Sequence, residues 1–288
     1  MSTNHRSLLL AAALGAFTLI PADAPHAALV LPRPSPAAST KQTIGNTDLT
    51  ITYSRPGVKG RVIWGGLEAY GKPWRTGANE PNNFTTTDDI KVGGKKLAAG
   101  SYSILTIPAV GDWTVIFSSQ KGLMGSSNYD PKDDALRLTI KPDTSAAHQE
   151  WLWFGFDELT PNSAHLVLRW QRLKLAIPLE VDVNTLVLAD ARTEIAAAKP
   201  DDWRVPYSAA RWSFDNNVAL PEGSGWLDKS LGIQKTHANL NLKARWLHKD
   251  GKKAEAIATA KEAIAAGKAS KETVDTSATE KLVADWTK

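Results

Sequence analysis

Residues 53–80 interleave three arginines and two lysines with two tryptophans and two tyrosines. Glycine and proline recur among them, and both fix unusual backbone shapes that hold neighbouring side chains in place. Arginine binds carboxylates through paired hydrogen bonds and stacks on aromatic rings. The stretch therefore predicts a cationic, aromatic site for an anionic or carbohydrate small ligand. The candidate binding residues are Arg55, Lys59, Arg61, Tyr70, Lys72, Trp74, Arg75, Asn79 and Glu80.

A purely structural role for the same residues stays open. Arginines in long loops often bind carbonyl oxygens and so lock the loop. In that case Asn79 or Glu80 is expected to partner Arg75 in a partly buried polar cluster. We expect this cluster at the mouth of a pocket lined by Tyr70 and Trp74. Glu80 is also a weak candidate for a catalytic acid or base.

The sequence carries no recognisable catalytic or metal-binding motif. It has neither a Gly-x-Ser-x-Gly elbow nor a glycine-rich phosphate loop that ends in Lys-Ser or Lys-Thr. It has no cysteine, which excludes thiol catalysis, cysteine-ligated zinc and iron–sulfur clusters. The histidines include no His-Glu-x-x-His pair. We therefore expect no metal and no cofactor, and we favour a non-catalytic protein over an enzyme.

The first 28 residues have the pattern of a secretory leader. Arg6 gives a positive start, residues 8–20 are apolar, and small residues follow. The apolar run is shorter than the about 20 residues that a membrane span needs. The sequence therefore predicts a cleaved signal peptide at 1–28, a periplasmic or secreted location without a lipid anchor, and no membrane insertion. The net charge of +4 is too modest to indicate nucleic-acid binding.

Residues 42–183 are predicted to form an antiparallel β-sandwich or jelly-roll-like domain, preceded by a proline-rich, flexible lead-in at 29–41. Residues 48–54 alternate apolar and polar side chains, as a half-buried strand does. No helical pattern separates the predicted strands, which disfavours a parallel α/β fold. The chain is therefore assigned to the α+β class and is mainly β. Further strands are predicted at 101–107, 113–117, 135–141, 151–159, 164–172 and 174–183.

Residues 184–288 are predicted to form a small, all-helical domain, because alanine becomes frequent and the apolar period lengthens. Residues 244–264 have the small-and-large spacing of one tetratricopeptide-like helix pair, with Gly251 at its turn. Such arrays need about three repeats to be stable alone. The tail is thus a helical cap or a candidate surface for a protein partner. The predicted helices are 184–199, 206–218, 225–250, 252–266 and 271–286.

Several long motifs resemble one known family. They are Tyr53-Ser-Arg-Pro-Gly-Val-Lys-Gly-Arg61, Ile63-Trp-Gly-Gly66 and Tyr70-Gly-Lys-Pro-Trp-Arg-Thr-Gly-Ala-Asn-Glu80, with Leu97-Ala-Ala-Gly-Ser-Tyr-Ser103 further on. The chain resembles the domain-of-unknown-function family 2911, a family of exported bacterial proteins, over about residues 40–183. The resemblance implies an exported β-domain, and it implies no activity because none is assigned to the family.

Three functional hypotheses follow from the sequence. The first is an exported, soluble envelope protein that acts as a non-catalytic binding or scaffold module through residues 55–80. The second is a hydrolase of unrecognised class that uses Glu80 as acid or base. The third is a purely structural envelope protein.

Overall fold

The computed structural model describes residues 31–120 and 123–288. The predicted signal peptide lies outside the described residues. Within them, no helix is long and apolar enough to cross a membrane. Residues 35–288 form one compact unit in which strands come first and helices follow, which confirms the predicted α+β class.

Two antiparallel sheets form the β part of this unit. Across the described residues, the first sheet has the strand order β1-β2-β3-β6-β7-β8 and the second has the order β5-β4-β11-β10-β9. The strands are β1 (Ala37–Ile44), β2 (Thr47–Ser54), β3 (Asn83–Thr86), β4 (Ile90–Val92), β5 (Lys95–Leu97), β6 (Gly100–Ile107), β7 (Trp113–Ser118), β8 (Asp134–Ile140), β9 (Gln149–Asp157), β10 (Ser163–Gln171) and β11 (Leu173–Glu180).

The hydrophobic core of the sandwich lies between the two sheets. Leu49 and Ile51 of β2 and Phe117 of β7 point inward from the first sheet, and Leu168 and Ile177 meet them from the second. The period-two alternation in β2 sends every other side chain to this face. All five side chains are fully buried or nearly so, and such burial contributes about 1.5–3 kcal/mol for each one.

The helices follow directly after the last strand. They are α1 (Val183–Ala197), α2 (Arg204–Asn216), α3 (Leu220–Ile233), α4 (His237–Lys249), α5 (Lys253–Lys268) and α6 (Ser277–Thr287). Their largest apolar cluster is built around Trp226, Leu227, Leu242 and Trp246, and it shares no residue with the sandwich core. The joint between the two parts is made by the start of α1, where Val183 packs on the sandwich core.

The α4 and α5 helices form a hairpin with Gly251 at its turn, as expected from the small-residue spacing. Gly251 has a φ of +78°, a left-handed conformation that glycine adopts without a Cβ penalty. Ala256, Ala260 and Ala263 of α5 are buried, so small side chains let the helices approach closely. Membership of this hairpin in the tetratricopeptide class stays a prediction.

The predicted flexible lead-in at 29–41 overlaps β1. Residues 37–41 pair with residues 50–54 of β2 in an antiparallel ladder. Side chains of β1 alternate between exposed and partly buried, which is the pattern of an edge strand with one face on the core. The proline-rich residues before β1 hid this alternation in the sequence.

The single helix predicted at 225–250 is wrong, because α3 ends at Ile233 and α4 begins at His237. Thr236 starts the new helix by a reciprocal cap. Its hydroxyl accepts from the Asn239 amide (3.4 Å), and the Asn239 side-chain oxygen accepts from the Thr236 amide (2.8 Å). Such caps satisfy the free amide groups at a helix start and so favour a new helix there.

Candidate functional site

The loop between β2 and β3 is held in shape by hydrogen bonds within its own backbone. The amide of Leu67 donates to the carbonyl of Val62 (2.9 Å), and the amide of Gly65 donates to the carbonyl of Glu68 (2.8 Å). Gly65 has a φ of +77°, and a Cβ there would lie 2.8 Å from the Tyr70 ring. Both the backbone conformation and the close approach of Tyr70 therefore require glycine at this position.

The second half of the loop runs beside β6 like a short extra strand. Trp74 and Thr106 exchange two backbone hydrogen bonds, with N···O distances of 2.7 and 2.9 Å. The amide of Gly71 donates to the carbonyl of Pro108 (2.8 Å), which fixes the loop to the turn between β6 and β7. The Thr76 hydroxyl donates to the Trp74 carbonyl (3.2 Å).

Asn82 ties this segment to β6, and the sequence analysis did not identify it. Its side-chain amide donates to the carbonyls of Ile104 (2.7 Å) and Arg75 (2.8 Å), and its side-chain oxygen accepts from the Ile104 amide (2.8 Å). It is 2% exposed. Asn82 therefore replaces ladder hydrogen bonds at the point where the loop leaves β6.

Four of the predicted site residues contribute to locking the loop. Arg55 donates through Nε to the Leu152 carbonyl (2.8 Å). Arg61 donates through Nε and Nη2 to the carbonyls of Val58 (3.1 Å) and Gly57 (2.6 Å).

The other two locking residues act through an amide group. Asn79 donates through its side-chain amide to the Ser35 carbonyl (3.0 Å) and to the Ser54 hydroxyl (3.2 Å). Lys59 donates through its backbone amide to the Glu150 carboxylate (2.8 Å). These contacts match the structural role that the sequence left open.

Trp74 lies in the core beneath the loop. Its ring stacks on Trp170 (centroid distance 5.6 Å) and forms a T-shaped contact with Trp64 (5.7 Å). Trp64 in turn contacts Trp113 at 4.8 Å. Trp74 is 5% exposed, so its ring packs against other rings rather than lining a surface. The four tryptophans form an aromatic cluster that supports the loop from inside.

Arg75 follows Trp74 in an extended segment. Its side chain lies on the opposite side of that segment from the Trp74 ring and is half-buried. Its Nε is buried without a hydrogen-bond acceptor in the described part of the chain. A Cβ on Gly125 would lie 2.9 Å from Arg75 Nη1, so the loop after β7 covers the guanidinium closely. The Asn79 side-chain amide donates to Ser35 and Ser54 instead, and the positive charge of Arg75 acts to lower the pKa of Glu68.

Glu68 is the most perturbed acidic residue of this loop, and nothing in its sequence pattern singled it out. Burial raises its pKa from 4.5 to about 7, even though the positive charges of Arg75 and Arg61 act to lower it. A carboxyl group with such a pKa is partly protonated at neutral pH, so it is both a donor and an acceptor of hydrogen bonds. Arg75, Glu68 and Arg61 are therefore the charged groups that the structure brings together.

The remaining predicted residues lie at the surface of the loop. Tyr70, Lys72 and Glu80 are all exposed. Two described cavities lie elsewhere: one of about 380 Å³ between α1 and α2, and one of about 750 Å³ between the β4–β5 edge and the start of α1. Neither is lined by a residue of 55–80. No group of three or more His, Cys, Asp or Glu residues in the described chain has the arrangement of a metal site.

The fold defines the chain as an antiparallel β-sandwich protein with a helical C-terminal part. Residues 35–179 match the family described as "Protein of unknown function (DUF2911)", and the chain belongs to this family. The match confirms the resemblance found in the motifs of residues 53–103, and the family carries no assigned activity. No curated protein and no solved structure matches the chain.

Proposed function

We propose that this protein is a non-catalytic binding module whose site is formed by Arg75, Glu68 and Arg61. Its ligand is an anion or a carbohydrate that bears a carboxylate. The observation that carries the proposal is the Arg75 guanidinium, whose Nε is buried without an acceptor beside a carboxyl group of raised pKa.

The buried Arg75 Nε is a donor without an acceptor among the described residues. Leaving such a group without a partner costs about 1–3 kcal/mol, and more for a charged group. A ligand carboxylate would supply acceptors for Arg75 through charge-assisted hydrogen bonds. Protonated Glu68 would donate to the same ligand, and ionised Glu68 would accept from a sugar hydroxyl group. The site therefore suits a ligand that combines negative charge with hydroxyl groups.

The test compares two arginine-to-lysine variants of the same loop. Arg75→Lys keeps the charge and loses the planar fork, so it should weaken binding of glucuronate by about tenfold while the melting temperature barely changes. Arg55→Lys loses a hydrogen bond to the Leu152 carbonyl, so it should lower the melting temperature and leave binding intact. Titration calorimetry with glucuronate, and with glucose as the uncharged probe, measures binding, and thermal unfolding gives the melting temperature.

Three results would contradict the proposal. They are no binding of either sugar to the wild type, equal binding of both sugars, and equal losses of binding in the two variants. A fall in stability for Arg75→Lys without any change in binding would favour the structural role instead.

Export is part of the same proposal and is supported by the leader-like sequence at 1–28. The mature protein then reaches the periplasm or the medium without a lipid anchor. Mass spectrometry of the protein from its native source should find an N-terminus between residues 22 and 32. An intact Met1 would contradict export.

A hydrolase of unrecognised class is the second candidate, and the raised pKa of Glu68 favours it. A carboxyl group with a pKa of about 7 can both donate and accept a proton at neutral pH, whereas Glu80 is exposed. Hydrolysis of a glycoside or ester probe that is abolished in Glu68→Gln and retained in Glu80→Gln would establish this function. Equal activity in both variants would exclude Glu68 as the acid–base group.

A further inference from the structure

The outer side of the loop at residues 58–72 and the adjoining turn at 108–111 form a surface that we call the apolar tip. We propose that the apolar tip docks onto the surface of an anionic lipid bilayer, with the apolar side chains at the headgroup level and the neighbouring cations on lipid phosphates. Arg75 and Glu68 of the ligand site are half-buried and take no part in this docking, so Arg61 is the one group that both sites share.

Backbone contacts bring the two segments of the tip together. The hydrogen bond from the Gly71 amide to the Pro108 carbonyl joins them. The 62–68 turn is closed by its own hydrogen bonds, and the Tyr70 ring lies against Gly65. The tip is therefore a preformed shape, and binding would cost little ordering of the chain.

The apolar tip concentrates the exposed apolar side chains of the protein. Eight large hydrophobic residues of the described chain are exposed, and five of them lie in the tip or contact it, which exceeds the scatter expected of single surface residues. Val62 is 74% exposed and Val110 is 87% exposed. The five residues are Val62, Leu67, Tyr70, Val110 and Trp151, whose ring lies 5.8 Å from the Lys59 ammonium group.

The charge around the tip identifies the partner. Lys59, Arg61 and Lys72 are exposed beside the apolar side chains. Residues 58–72 contain these three cations and a single acid, Glu68, which is half-buried. Protein–protein interfaces are depleted in lysine, whereas apolar side chains flanked by cations are typical of segments that lie on anionic membranes. Each cation near such a surface strengthens binding by about fivefold.

The experiment is cosedimentation of the purified protein with vesicles. One set contains phosphatidylcholine alone, and the other contains equal parts of phosphatidylcholine and phosphatidylglycerol. The wild type should bind the anionic set and be released by salt, because salt screens the attraction. Leu67→Ser should weaken binding by about tenfold, since one apolar side chain leaves the headgroup region. Lys72→Gln should weaken binding by about fivefold.

Leu159→Ser is the matched control. Leu159 is also an exposed leucine, but it follows the far end of β9 from Trp151. It should bind vesicles like the wild type, and all variants should keep the wild-type melting temperature because the changed side chains are exposed.

Docking on anionic lipid is overturned if the wild type does not bind vesicles, or if it binds neutral vesicles equally well without salt dependence. Equal losses of binding in Leu159→Ser and Leu67→Ser would also overturn it. So would a wild type that binds no vesicles but forms a dimer in sedimentation velocity, if Leu67→Ser dissociates that dimer. The last result would assign the tip to self-association. Binding of glucuronate is measured separately, so failure of the docking and failure of the ligand site are distinguishable.

Discussion

Asn82→Ala should strongly destabilise the protein, because Asn82 is a buried polar residue of the candidate loop. Its side chain makes three short hydrogen bonds, to the Arg75 carbonyl and to both backbone groups of Ile104. Alanine would leave these buried groups without that partner. At about 1 kcal/mol for each bond, the free energy of unfolding should fall by about 3 kcal/mol. For a chain of this size, the melting temperature should then fall by about 6–12 °C.

The assay is urea unfolding followed by circular dichroism, with the slope against urea checked for constancy. Asn83→Ala is the matched control, because Asn83 is exposed and donates only to the Thr85 hydroxyl (3.1 Å). It should change the free energy of unfolding by less than about 0.5 kcal/mol. The reasoning would be refuted if Asn82→Ala cost less than about 1 kcal/mol or no more than Asn83→Ala.

Two further predictions concern pH and helix packing. The pKa of Glu68 is raised from 4.5 to about 7 by folding, so its contribution to stability is full below pH 4.5 and is lost as the pH rises through 7. Relative to Glu68→Gln, the free energy of unfolding of the wild type should therefore fall by about 2–3 kcal/mol between pH 4.5 and 7. Urea unfolding at several pH values measures this difference, and a difference that stays constant with pH would contradict the raised pKa. Gly223→Ala should destabilise the protein by about 1–3 kcal/mol in thermal unfolding, because its Cβ would lie 2.6 Å from the Ser213 Cβ. Gly225→Ala in the same helix meets nothing within 4 Å and should stabilise it by about 0.5–1 kcal/mol, so a loss of stability there would count against this account.

The period of the apolar residues was enough to predict the long strands and the general fold. Alternation identified β2, and the change of period after residue 183 located the first helix. The strands β3, β4 and β5 were missed because they have only three or four residues, too few for a period to show. Their positions depend on pairing with distant strands rather than on local sequence.

The candidate site was located by its composition, but the role of each residue was not predictable. The residue type alone does not indicate that Arg55 and Arg61 donate to backbone carbonyls while Arg75 does not. Trp113 and Trp170 join Trp74 from strands about 40 and 100 residues away, so spacing along the loop gave no signal. The burial that raises the pKa of Glu68 is likewise a property of the assembled fold.

The separation of the helical core from the sandwich core allows the molecule to open in parts. The helical core shares no residue with the sandwich core, so separating the helices need not disturb the packing between the sheets. Amide hydrogens in α2 to α5 should then exchange with solvent through a smaller opening free energy than those in β6, β7 and β10. Proteases would meet the same hierarchy: cleavage should begin in the helical part and leave the sandwich intact.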